Sequence, residues 1–125
     1  MDWQSEQISD QSQLFMRIHK DDRKSDGTLK PRAFRNHGEG MSTDWEKYAT
    51  PQETRRRARQ PGKNAVVRLH VGSVRKLETQ QVEHTPNVTE GNRAHTDVFG
   101  EKNTEVRTKL RRIAEVVVPF DAPVD

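Results

Sequence analysis

Short apolar stretches separated by long polar ones predict where this chain forms strands. Residues 14–18 are a run of large apolar side chains interrupted only by Arg17, which predicts a first strand. Within residues 65–74, apolar and polar side chains alternate from Val67 to Val71 with the period of a half-buried strand. The apolar members are Val67, Leu69 and Val71, and the polar ones between them are Arg68 and His70. Weaker patterns predict strands at residues 80–84 and 96–99.

The first predicted helix has a clear start and a clear end. Thr50 can cap it, Pro51 suits its first turn, and Glu53 stands where a capping box requires a glutamate. The helix is expected to run to Gln60 and to end at the proline–glycine pair that follows. Because it has almost no apolar residues, its arginines are expected to lie on the surface.

The second predicted helix, residues 105–118, has a well-defined apolar face. The residues on this face are Val106, Leu110, Ile113, Ala114 and Val117. Asn103 or Thr104 can cap the helix, and Pro119 ends it.

These elements predict a small α+β domain. We expect a mostly antiparallel sheet of three to four strands, packed by the C-terminal amphipathic helix. We expect residues 13–118 to form this domain, residues 1–12 to be a disordered polar tail, and residues 119–125 to be a loose C-terminal tail. Much of the chain between residues 20 and 50 is expected to form long loops around the Asp26-Gly27 turn.

Composition narrows the class of protein. Of the 125 residues, 30% are hydrophobic and 33% are charged, which is polar for a folded domain. There is no cysteine, which excludes a disulfide framework, a thiolate nucleophile and a zinc ribbon, and suits the cytoplasm. The N-terminal residues lack the pattern of a signal peptide, and no apolar run is long enough to span a membrane, so we expect no membrane partner.

Basic residues are concentrated in two segments of a chain whose pI is about 9.4. The clustered arginines are Arg55, Arg56, Arg57 and Arg59 in the first helix, and Arg111 and Arg112 in the second. Guanidinium groups arranged in this way suit phosphate contacts or an acidic protein surface. The leading interpretation is therefore a non-catalytic accessory or interaction protein whose basic face binds nucleic acid or an acidic protein partner.

Two histidines around a proline-containing turn, His84 and His95, support an alternative. Imidazole titrates near neutrality, so such a pair can act as general acid and base on a phosphoester or nucleotide. His19 can join them, and Arg17 or Arg93 can hold the anionic group. The same histidines can equally be structural, forming hydrogen bonds that fix the turn.

Other chemistries have less support. A metal site at Glu83, His84 and His95 lacks any recognised ligand spacing, so we expect no metal, and no motif indicates a cofactor. Arg17, Ser42-Thr43 and Gln81-x-Glu83 occur in the order seen in ADP-ribosyltransferases. In that resemblance Arg17 would bind a pyrophosphate and Glu83 would orient a ribose.

A wider resemblance covers residues 14–115. The motifs that carry it, in order, are Asp26-Gly27-Thr28-Leu29, Ala33-Phe34, Met41-Ser42-Thr43, His84-Thr85-Pro86 and Asn92-Arg93-Ala94-His95. In this order the chain resembles a group of small bacterial proteins that have no assigned function. The resemblance implies that the corner between His84 and His95 is a recurring feature, whether for catalysis or for folding.

Overall fold

A single antiparallel sheet of six strands organises the protein. The computed structural model describes residues 2–124. The strands, in the order of the chain, are β1 (Gln13–His19), β2 (Gly40–Trp45), β3 (Asn64–His70), β4 (Gln81–His84), β5 (His95–Phe99) and β6 (Glu115–Val118). Their spatial order is β4-β5-β2-β1-β3-β6, so β1 and β2 lie at the centre.

The sheet has more strands than the three to four predicted, and that prediction is wrong. β2 lies in a region expected to be loop. Its three consecutive polar residues, Ser42, Thr43 and Asp44, hide the alternation of apolar and polar side chains that would indicate a strand. β6 lies where the second helix was expected to continue, because the valines of residues 116–118 also fit a helical apolar face. They pair with β3 instead, and β-branched residues favour strands.

Three short helices accompany the sheet within the described residues: α1 (Pro51–Arg56), α2 (Val71–Arg75) and α3 (Thr104–Ile113). The predicted capping box of α1 is confirmed, since the Thr50 hydroxyl accepts from the Glu53 amide and the Glu53 carboxylate accepts from the Thr50 amide. The sequence predicts that β3 continues to residue 74. Instead, the chain turns at His70 and forms α2. No helix among residues 2–124 is long and apolar enough to cross a membrane.

The main hydrophobic core lies on one face of the sheet, under α2 and α3. Val106 and Leu110 of α3 pack there with Leu14, Leu69 and other inward-pointing strand residues. A smaller apolar cluster, Phe15, Val66 and Val118, lies on the other face, where α1 packs. Because strand side chains alternate between faces, α1 and α3 cover opposite sides of the sheet.

Segments near both ends of the described residues have contacts with the rest of the domain. In the segment predicted to be a tail, Ile8 is buried, and the Arg75 guanidinium donates to its carbonyl oxygen at 2.6 Å. At the other end, the carbonyl oxygens of Phe120 and Ala122 accept hydrogen bonds from Arg55.

A buried lysine fixes the loop between β5 and α3. The Lys102 ammonium donates to Asn36 Oδ1 at 2.8 Å, to the Val98 carbonyl at 3.0 Å and to the Gly100 carbonyl at 2.8 Å. Its burial lowers the pKa of Lys102 to about 8. The three acceptors satisfy the ammonium and attach the end of β5 to the loop before β2.

Candidate functional site

A cleft opens where the two halves of the sheet separate. The ladder between β1 and β2 comprises only Leu14–Trp45 and Phe15–Asp44. Further along, β1 stays paired with β3 as far as His19, and β2 stays paired with β5 as far as Gly40. The space between these halves is a cleft of about 690 Å³. Its walls come from β1, β2, α1 and the segment between β4 and β5.

Four polar side chains enter the cleft from three neighbouring strands. Arg17 comes from β1, Ser42 and Asp44 from β2, and His95 from β5. His95 is the register partner of Asp44, and Phe15 of β1 is the partner of Asp44 on its other side. Since residues two apart share a face, the pairing places these polar groups on the face that α1 only partly covers.

Asp44 holds the walls of the cleft in place. Its carboxylate is buried and accepts from Thr54 Oγ1 at 2.7 Å and from Asn92 Nδ2 at 2.8 Å. The Nε of Arg57 lies 3.8 Å from the same carboxylate. One side chain of β2 therefore fixes both α1 and the turn that contains Asn92.

His95 is held in one tautomer by its surroundings. Its Nδ1 lies 2.9 Å from the carbonyl oxygen of Thr85, which can only accept, so Nδ1 carries the proton in the neutral ring. The Thr85 hydroxyl donates in turn to Asp97 at 2.9 Å. His95 Nε2 is then an acceptor, and it lies 3.3 Å from the hydroxyl of Ser42. This nitrogen is placed to take a proton from a hydroxyl group in the cleft.

Arg17 supplies positive charge at the same place. Its Nη1 donates to the carbonyl oxygen of Thr54 at 3.1 Å, and its side chain is exposed to the cleft. Within residues 2–124 it has no carboxylate partner, whereas the neighbouring Arg57 has Asp44. A guanidinium has five N–H donors, so Arg17 retains several for an anionic ligand.

The structure does not bring His84 and His95 together. His84 is the register partner of Thr96, so it points to the face opposite His95. It is 2% exposed, and its ring packs against Trp45 at a centroid distance of 5.1 Å. Its Nδ1 accepts from the Glu6 amide at 3.0 Å, and its Nε2 donates to the Arg93 carbonyl at 2.7 Å. Both ring nitrogens are therefore used in fixing the chain.

Of the other residues of the predicted acid–base site, Arg93 lies away from the cleft and His19 lies at its rim. Arg93 stacks over the Tyr48 ring at 4.2 Å, near His84. Glu6 accepts hydrogen bonds from Lys47 and Tyr48, and these hold the pKa of the Glu6 carboxyl below its usual value. His19 lies at the rim of the cleft, where its Nδ1 accepts from the Asp21 amide.

Replacing His84 with alanine should lower the free energy of unfolding by about 1–3 kcal/mol, because two buried hydrogen bonds and the ring contacts are lost. Urea titration followed by tryptophan fluorescence measures this. Gln81→Ala, at an exposed position of the same strand, is the control and should change stability by less than about 0.5 kcal/mol. An unchanged unfolding midpoint in His84→Ala would show that this histidine does not hold the corner.

The six arginines proposed to form one basic face do not lie together. Arg55 is buried, and its guanidinium donates to backbone carbonyl oxygens. Arg57 lines the cleft. Arg56 and Arg59 are exposed near the end of α1, while Arg111 and Arg112 belong to α3 on the opposite side of the sheet.

The residues that match the ADP-ribosyltransferase pattern are also divided. Arg17, Ser42 and Thr43 line the cleft. Gln81 and Glu83 are exposed on β4, the edge strand beyond β5. No group of three histidine, aspartate or glutamate side chains in the described part of the chain is arranged to hold a metal ion.

The sequence did not indicate Asp44 and Asn92 as parts of the site, and it indicated Ser42 only through the ADP-ribosyltransferase pattern. In β2, Ser42 and Asp44 alternate with the buried residues Met41, Thr43 and Trp45, but the polar side chain of Thr43 hides this alternation in the sequence. Comparison with known proteins adds no assignment: no family, no curated protein and no solved structure matches this chain.

Proposed function

We propose that the cleft binds a nucleotide or a related phosphate ester and that the protein is a small enzyme acting on it. One observation carries the proposal: a histidine nitrogen that can accept a proton and a guanidinium with no carboxylate partner among residues 2–124 line the same cleft. These groups are His95 Nε2 and Arg17. Together they can accept a proton and bind a phosphate.

The two groups divide the chemistry between them. The guanidinium of Arg17 neutralises the phosphate oxygens. His95 Nε2 removes the proton of an attacking water or substrate hydroxyl as its oxygen bonds to phosphorus. The ester bond on the other side of the phosphorus breaks, and the leaving oxygen takes a proton from solvent. The hydrogen bond from Nδ1 to the Thr85 carbonyl keeps the ring oriented and stabilises the imidazolium that forms.

The size and lining of the cleft support a nucleotide. A volume of about 690 Å³ lies within the range of small-molecule sites. Polar side chains in the lining, among them Asn87 and Glu90, can bond to ribose hydroxyls or base edges, and Phe15 adds an apolar residue to the same lining. A ligand with both an anionic group and a flat polar ring suits such a lining.

Arg17→Gln should weaken binding of a nucleoside monophosphate by about tenfold or more, since the charge-assisted hydrogen bonds to phosphate are lost. Isothermal titration calorimetry with adenosine and guanosine monophosphates measures the affinity. Arg59→Gln removes the same charge from an exposed position outside the cleft and should leave the affinity unchanged. Equal affinity in wild type and Arg17→Gln would reject the cleft as a phosphate site.

Binding of nucleic acid or an acidic protein through the arginines remains an alternative proposal with weaker support. It needs several guanidinium groups on one surface, whereas Arg55 is buried and α1 and α3 lie on opposite faces. Duplex binding with steep salt dependence that survives Arg17→Gln would favour it. In either case we propose a cytoplasmic setting, which the absence of cysteine supports.

A further inference from the structure

One hydroxyl group in the cleft has a histidine as its only hydrogen-bond partner. Three hydroxyl-bearing side chains line the cleft: Ser42, Thr43 and Thr54. Thr43 Oγ1 donates to a backbone carbonyl oxygen at 2.8 Å, Thr54 Oγ1 donates to a buried carboxylate at 2.7 Å, and both threonines are buried. Ser42 is only half-buried, and among residues 2–124 its hydroxyl has no partner other than His95 Nε2. Ser42 is therefore the hydroxyl of the cleft that is free to react.

The register of the sheet places this serine beside a histidine whose ring is already oriented. Ser42 is the partner of Asp97 in β5, and His95 lies two residues from Asp97, so the three side chains share a face. The Ser42 oxygen lies 3.3 Å from His95 Nε2. On the other side of the ring, Nδ1 lies 2.9 Å from the Thr85 carbonyl oxygen and 3.1 Å from the Thr85 hydroxyl. A hydroxyl next to a base that a third group orients is the arrangement that activates a serine.

We propose that Ser42 is the nucleophile of the reaction and that a phosphoserine forms as a covalent intermediate. This rests on the proposed function for the substrate, a phosphate ester bound by Arg17, and it identifies the hydroxyl that attacks the phosphorus first. Water then attacks the phosphoserine rather than the substrate. The guanidinium of Arg17 neutralises the phosphate oxygens in both steps.

His95 moves a proton in each of the two steps. In the first, Ser42 Oγ bonds to phosphorus, its proton passes to His95 Nε2, and the ester bond breaks. The leaving oxygen takes a proton from solvent, and His95 gives its proton to solvent. In the second step, the oxygen of a water bonds to phosphorus as His95 accepts a proton from it. The bond between Ser42 Oγ and phosphorus breaks, and the serine oxygen takes that proton, which restores the resting site.

A second serine–histidine pair provides a control within the same chain. The hydroxyl of Ser73 lies 3.2 Å from His70 Nδ1, at the start of α2 and outside the cleft. That nitrogen already accepts from the Ser73 amide, and among residues 2–124 no third group holds the ring from its other side. Ser73 should therefore have the reactivity of an ordinary serine, although it too lies beside a histidine.

Diisopropyl fluorophosphate tests the nucleophile directly, because an activated serine displaces its fluoride and keeps the phosphoryl group. Peptide mass spectrometry of the treated wild type should locate the modification on Ser42 and leave Ser73 unmodified. Ser42→Ala should abolish it, and His95→Gln should slow it by about 10²-fold or more. Ser73→Ala should react at the wild-type rate. Arg17→Gln should also react, because the reagent carries no negative charge.

The intermediate itself is sought with p-nitrophenyl phosphate, by quenching the reaction in acid and searching the peptides for a phosphoryl group on Ser42. Three results would overturn the proposal: no modification of Ser42 by the fluorophosphate, equal modification of Ser42 and Ser73, or an unchanged rate in His95→Gln. Ester turnover that persists in Ser42→Ala would overturn it as well and would leave direct attack by water. Failure of the proposed phosphate site is recognised separately, by monophosphate binding that does not depend on Arg17. If no ester is turned over, the fluorophosphate result alone decides.

Discussion

His95→Gln should reduce nucleotide turnover by roughly 10²–10⁴-fold, the usual contribution of a general base. Glutamine can still donate to the Thr85 carbonyl and keep the side chain in place, but its amide cannot accept a proton at neutral pH. The fold and ligand affinity should therefore change little while turnover falls. Incubation with a panel of nucleoside phosphates, followed by ³¹P NMR, measures the rate on any ester that the wild type cleaves.

The matched control is His70→Gln. His70 is exposed at the end of β3, where its Nδ1 accepts from the Ser73 amide at the start of α2. This variant should keep wild-type turnover. Full activity in His95→Gln would remove the proposed base, and loss of activity in both variants would point to a general effect on the fold.

The elements that the sequence could predict are those whose pattern is local. β1 has an apolar run interrupted only by Arg17, the second half of β3 alternates between apolar and polar residues, and the Thr50–Glu53 capping box needs only a few residues. β2 and β6 were missed because each depends on a distant partner. The valines at 116–118 fit a helix or a strand, and only pairing with β3 decides between them.

For the site, too, the sequence shows local features but not those that depend on distant residues. Arg17 and His95 could be chosen as candidates because arginine and histidine are chemically conspicuous. Whether His84 joins His95 depends on the register of β4 and β5, in which His84 lies opposite Thr96 and so faces the core. The sequence does not show this register, because it does not show where the turn between β4 and β5 begins and ends. Asp44 could not be distinguished from other aspartates, because its importance comes from burial beside residues far along the chain.

The division among the arginines is equally non-local, since Arg55 and Arg59 look alike in sequence. Arg55 is 3% exposed, and its guanidinium donates to five backbone carbonyl oxygens. The acceptors are those of Pro61, Asn64, Phe120, Ala122 and Pro123. This side chain therefore joins α1 to the start of β3 and to the C-terminal segment, a structural role rather than a surface contact.

Arg55→Met should lower the free energy of unfolding by about 3 kcal/mol or more, because methionine fills much of the space but leaves the carbonyl oxygens without donors. Urea titration monitored by tryptophan fluorescence measures the loss. Arg59→Met, which changes an exposed arginine, should shift stability by less than about 0.5 kcal/mol. If Arg55 instead served a binding surface, its replacement would leave the unfolding midpoint unchanged and weaken only partner binding. Comparison of the two variants therefore separates an arginine that holds the fold together from one that is free to meet a partner.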